Sequence, residues 1–107
     1  MSTPDPFQQF LEAQREAYRR GLPEKAAQSA ALWQAVQSST DNAKALADLH
    51  RHAHTLAGTA GTLGFAQVGA AAAALEHLLA PPQYLTPEHV EAVGAAVAAL
   101  QASLLQG

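Results

Sequence analysis

Apolar residues recur along this chain in steps of three and four, the period of one face of an α-helix. The longest run is Leu46, Leu49, Ala53, Leu56, Ala60 and Leu63, stepping 3, 4, 3, 4, 3. It predicts a helix from about Asn42 to Leu63, ended by Gly64, a residue type that commonly closes helices in a left-handed conformation. Val68, Ala72, Leu75 and Leu79 mark the next helix, stopped by Pro81 and Pro82. Thr86, Pro87 and Glu88 restart the chain as cap, first-turn proline and dipole-complementing acid. Val90, Val93, Val97, Leu100 and Leu104 carry the last stripe.

Upstream, Asp5 and Pro6 read as an N-cap and a first helical position. Phe7, Phe10, Leu11, Gln14 and Tyr18 then follow a helical stripe to about Arg20, where Gly21 ends it. Pro23 opens a second helix whose inward residues are expected to be Ala26, Ala30, Trp33 and Val36 or Gln37. Thr40 or Asp41 is the expected cap of the third helix. No run of β-branched residues alternates with polar ones, so strands are not expected. Four amphipathic helices on short connections predict an all-α fold, an antiparallel up-down-up-down four-helix bundle in a single domain spanning 1–107. A short additional N-terminal helix is expected to cover one end, with its aromatic residues partly in the core.

Composition narrows the function. About a quarter of the 107 residues are alanine, which favours helix. A formal net charge of −3 with six Lys and Arg argues against nucleic acid, which needs clustered positive charge. The absence of cysteine excludes disulfides, thiolate zinc sites and cysteine nucleophiles. No stretch reaches the ~18 uninterrupted apolar residues of a membrane span. The N-terminus lacks a basic segment followed by an apolar run, so a cytoplasmic protein without a signal peptide is expected.

The third helix also carries candidate chemistry. At ~100° per residue, His54 lies roughly 130° from the centre of the Leu46–Leu63 seam, on the solvent side. Gly58 and Gly61 follow it on that same side, and Arg51 precedes it by one turn. Glycine inside a helix costs on the order of 1 kcal/mol relative to alanine, and alanine is this chain's usual filler. Close helix packing is one explanation, more natural for Gly61 than for Gly58. The other is that a bulky partner must reach the imidazole.

The segment AHTLAGTAGTLGF, 53–65, resembles the signature of histidine phosphotransfer (HPt) domains, His-x-x-Lys-Gly with a later glycine closing the helix. His54, Gly58 and Gly64 fall on motif positions, and Ala60 and Gly61 are suitably small. AAAALEHLL, with its Leu75–Glu76 pair, is similar to the family's following helix. The motif's lysine is Ala57 here, so Arg51, helped by His50, is expected to supply the cation from the other side.

The resemblance implies that His54 accepts a phosphoryl group from a receiver-domain aspartate or a kinase and can return it. The chemistry uses a neutral ring nitrogen, and exposed imidazoles are mostly neutral at pH 7. Magnesium and a lysine are expected on the receiver, with no cofactor or metal on this chain, which would be a phosphotransfer intermediate rather than an autonomous enzyme. The implied partners are a response-regulator receiver domain and a hybrid histidine kinase, with the chain itself a monomer. Gly58, Gly61, Thr62 and Phe65 are the expected docking residues, with a contribution from Phe7, Phe10, Leu11 or Tyr18.

Two rival readings remain at this level. His50 and His54, one turn apart, could chelate a metal as helical sites do. A helical bundle that only docks a partner needs no special histidine.

Overall fold

The computed structural model describes residues 5–38, 42–81 and 86–107. They form five helices, α1 (Pro6–Arg20), α2 (Leu22–Ser38), α3 (Asn42–Thr62), α4 (Ala66–Leu79) and α5 (Pro87–Gln106). No strand occurs among the described residues. Thr40, Asp41 and Pro82, read above as cap and stop, lie outside them.

Local chemistry sets the visible boundaries. The Asp5 carboxylate accepts from the Phe7 backbone N–H at 3.0 Å and opens α1. Thr86 does the same for α5 through the His89 N–H at 3.1 Å. At the end of α3, Gly64 adopts φ +87°. There the Phe65 N–H donates to the Ala60 carbonyl at 2.8 Å and the Gly64 N–H to that of Gly61 at 3.3 Å. This paired closure satisfies carbonyls that the helix leaves open, and it needs a residue at ease with positive φ.

Helices α2 to α5 close a ring in which each packs on the next and α5 returns to α2. Short connections make neighbours antiparallel, the up-down-up-down bundle. Leu49, Ala53, Leu75, Leu79, Leu100 and Leu104 are buried at its centre. Each buried leucine contributes roughly 1.5–3 kcal/mol, so Leu75→Ala would cost about 2–5 kcal/mol. The tightest approach joins α3 to α4. A Cβ added at Gly69 would sit 3.3 Å from the Gly61 backbone nitrogen, so these two backbones nearly touch.

Three expectations are corrected. On α2, Ala30 is exposed and Ser29 is buried, because the inward face runs through Leu22, Ala26, Ser29 and Val36. Val90 is 37% exposed, one turn too early in α5 for core contact. Most consequentially, α1 buries none of its residues, and Phe7 and Phe10 are 64% and 58% exposed. The molecule measures 60 × 22 × 20 Å, about twice the ~30 Å of a twenty-residue helix. Helix α1 runs on past the bundle. Tyr18 at its end packs against the core, as expected of part of its stripe, but Phe7 and Phe10 face no other helix among the described residues.

Only the last turns of α1 are tied down. Arg15 Nε donates to the Leu63 carbonyl at 2.9 Å, and the Tyr18 hydroxyl lies 3.1 Å from Thr59 Oγ1. Thr59 Oγ1 itself donates to the Thr55 carbonyl, so Tyr18 is the donor in that pair.

Candidate functional site

The α3 seam forces the position of His54. With Leu49, Ala53, Leu56 and Ala60 buried, His54, Thr55, Gly58 and Thr59 turn outward. The His54 side chain is 72% exposed, and its Nδ1 lies 2.5 Å from Oε2 of Glu76 on α4. An ionised carboxylate only accepts hydrogen bonds. The neutral imidazole therefore carries its proton on Nδ1 and its free lone pair on Nε2.

The space around this nitrogen is open. An added Cβ at Gly58 or at Gly61 would meet nothing within 4 Å, so neither glycine is there to admit a neighbouring helix. A groove lined by His54, Thr55, Gly58, Thr59, Thr62 and Leu63 runs from the imidazole toward the end of α3. Glu76 flanks the face on the α4 side, and the Tyr18–Thr59 contact flanks it on the other. The result is an oriented, solvent-facing imidazole beside bare backbone. A family model, that of the Hpt domain, matches residues 7–103.

The chain belongs to the Hpt domain family. No curated protein and no solved structure gives a match. Hpt domains perform histidine phosphotransfer in two-component signalling, as transfer modules rather than catalysts, and interact with receiver domains and histidine kinases. No described helix of this Hpt domain is long and apolar enough to cross a membrane.

Within the Hpt motif, Ala57 is half-buried and packs against the core. It lies in the close α3–α4 seam, where a Cβ on Gly69 would come within 3.8 Å of its carbonyl. That burial gives a packing reason for a small residue where the motif has lysine. Arg51 is exposed one turn before His54 and reaches back to Asp48 at 3.8 Å. His50 is half-buried.

Gly61 and Thr62 share the open face with His54. Phe65 does not. Its ring is half-buried at the start of α4, 5.2 Å from the Tyr18 ring and under the Arg19 guanidinium at 5.5 Å. These contacts tie α1 to the end of the bundle.

Among the described residues no group of three or more His, Asp or Glu could hold a metal ion. The chelate envisaged for His50 and His54 thus finds no third ligand there.

His52 shows what an inward histidine looks like on the same helix. Ser29 Oγ donates to the Lys25 carbonyl at 2.9 Å, so it accepts from His52 Nε2 at 2.7 Å. Burial, followed by the nearby Lys25 charge, pushes the His52 pKa below its ordinary value.

Glu76 is the partner that the reading of α3 alone did not assign a role. A signal existed: it is the single acid in an α4 otherwise made mostly of alanine and leucine. Its pairing with His54 depends on helix register, which no one stripe encodes.

Proposed function

We propose that this Hpt domain relays phosphoryl groups through Nε2 of His54, taking them from a receiver-domain phospho-aspartate or a hybrid histidine kinase and passing them on. The observation that carries this reading is the 2.5 Å contact from His54 Nδ1 to Glu76 on an open, glycine-flanked face. In the forward step the Nε2 lone pair forms the N–P bond. The aspartyl P–O bond breaks, and the carboxylate leaves with its electron pair. Because Nδ1 keeps its proton, the ring becomes cationic, and the Glu76 oxygen beside it offsets that charge. In the reverse step the same protonated ring is a good leaving group. Phosphoryl transfer relies chiefly on positioning and charge stabilisation, the rest of which the receiver would provide through its metal ion and lysine.

The docking face runs across Gly58, Gly61 and Thr62. It continues along α1, whose Phe7, Phe10 and Leu11 extend beyond the end of α3. His54 to Leu63 spans ~13 Å, and Arg15 to Phe7 another ~12 Å, at 1.5 Å per residue. Together they offer a surface matched to a small partner domain, apolar and small-residued rather than charged.

The test is transfer from a radiolabelled phospho-receiver to the full chain. The relay reading expects an acid-labile, alkali-stable label on the wild type and none on His54→Gln. A bundle that only docks would bind the receiver and stay unlabelled.

A further inference from the structure

Phosphorylation of His54 adds a charge of about −1.5 to −2 to a ring already 2.5 Å from the Glu76 carboxylate. The chain around it has a formal net charge of −3. The imidazolium charge is already taken up by Glu76, so the phosphoryl oxygens keep an uncompensated charge that a nearby cation would offset.

The chain has six Lys and Arg residues, and five are placed elsewhere. Arg15 holds the Leu63 carbonyl, ~13 Å along α3 from His54. Arg19 and Arg20 pair with Glu16, and Arg19 also lies over Phe65. Lys25 Nζ sits 4.6 Å above the Tyr18 ring. Lys44 pairs with Asp48 at 3.0 Å, ~15 Å along the helix from His54.

Arg51 remains. It lies ~4.5 Å along the axis from His54 and ~60° around it, a spacing at which helical side chains are neighbours. Side chains on a helix lean toward its N-terminus, so the His54 ring leans over the turn that holds Arg51. The Arg51 side chain is 77% exposed, and the pairing of its guanidinium with Asp48 Oδ1 is long, at 3.8 Å. Lys44 meanwhile holds Asp48 Oδ2 at 3.0 Å. Asp48 therefore stays neutralised when Arg51 departs.

Resting on His54 as the phosphoacceptor, we infer that Arg51 is the phosphate-binding residue of this domain. On phosphorylation its guanidinium exchanges Asp48 for the phosphoryl oxygens, while Lys44 keeps Asp48. The planar guanidinium fork suits phosphate oxygens better than a point charge does. The Lys44–Asp48 pair serves as its resting place.

Phosphoramidate tests this without a receiver. Nε2 of His54 forms a bond to phosphorus as the P–N bond breaks, and ammonia leaves with the bonding pair. Phosphorus NMR of the phosphorylated full chain then follows the second ionisation of the phosphoryl group against pH. Arg51→Gln should move that ionisation to higher pH. It should also shift phosphate exchange with a receiver about threefold to tenfold away from phospho-His54, and Arg51→Lys should restore most of both. Lys44→Gln should act in the same direction but less, since an unneutralised Asp48 would grip Arg51, and adding Asp48→Asn should cancel that effect. An ionisation unchanged in Arg51→Gln overturns the assignment and leaves the relay reading standing. A receiver that never exchanges phosphate with His54 overturns the relay, while the NMR titration still reports on Arg51.

Discussion

His52 and His54 stand two residues apart on one helix and live in opposite surroundings. The outer face of α3 presents a largely exposed imidazole, two glycines with open space beyond them, and a groove. The inner flank presents a half-buried imidazole against Ser29, a serine with no exposed surface. The glycines divide in the same way. Gly58 and Gly61 leave room for something outside the chain, whereas Gly69 on α4 leaves room for the backbone of α3. Residue type alone assigns neither role; the direction in which each position faces does.

The sharpest way to break this contrast is to exchange the histidines. His54→Gln should abolish the acid-labile label entirely while changing stability by no more than about 0.5 kcal/mol, as surface substitutions do. His52→Gln should still accept phosphate. Label surviving in the first variant, or lost only in the second, would reverse the two faces.

Glu76 separates orientation from charge. In Glu76→Gln the side-chain carbonyl can still accept from Nδ1–H, so nitrogen NMR should find the same tautomer. The transfer rate should nonetheless fall on the order of 10²-fold, because the charge opposite the cationic ring is gone. Glu76→Leu should lose the tautomer preference too. Equal rates in wild type and Glu76→Gln would reduce Glu76 to a purely orienting group.

The glycines should respond with opposite signs in melting experiments. Gly58→Ala should gain up to about 1 kcal/mol from helix propensity, with no contact to pay for it. Gly69→Ala makes the same propensity gain but pushes a methyl to 3.3 Å from the Gly61 nitrogen. Overpacking costs typically 1–3 kcal/mol, so the net expectation is a loss of about 1 kcal/mol. Gly58→Gln should remain folded and block transfer by crowding the approach to His54. A destabilised Gly58→Ala would close the open face.

The smallest effect concerns pH. His52 has a folded-state pKa below the ordinary 6.5, so the unfolded chain binds the proton more readily. Stability contributed by the neutral ring is fully present above pH 6.5 and declines as pH falls from there through the folded pKa. His52→Gln should flatten this part of the stability curve, whereas His54→Gln should leave it in place. Ser29→Ala should cost about 1 kcal/mol by stranding the His52 N–H.

Much of this protein is readable from a single strand of reasoning about period. The Leu46–Leu63 seam, the closure at Gly64 and the outward aim of His54 all follow from the 3.6-residue turn, which is a property of each helix by itself. The α2 stripe shows how narrow the margin is: Ser29 and Ala30 differ by one residue, ~100°, and alanine's greater apolarity pointed to the wrong one. The stripe on α1 is as regular as the others, yet Phe7 and Phe10 stay mostly exposed. An apolar stripe announces a preference for cover and says nothing about where the cover comes from.

What the tertiary structure alone decided are the facts that span two helices. The Glu76–His54 contact requires α4 to lie at one particular offset along α3. The partial burial of Ala57, in the position where the family motif has lysine, depends on that same offset. Periodicity determines which way a residue faces around its own axis, because backbone hydrogen bonds fix the turn locally. It leaves free the sliding of one helix along another, and only the packed core, through the fit of its leucines and small residues, removes that freedom.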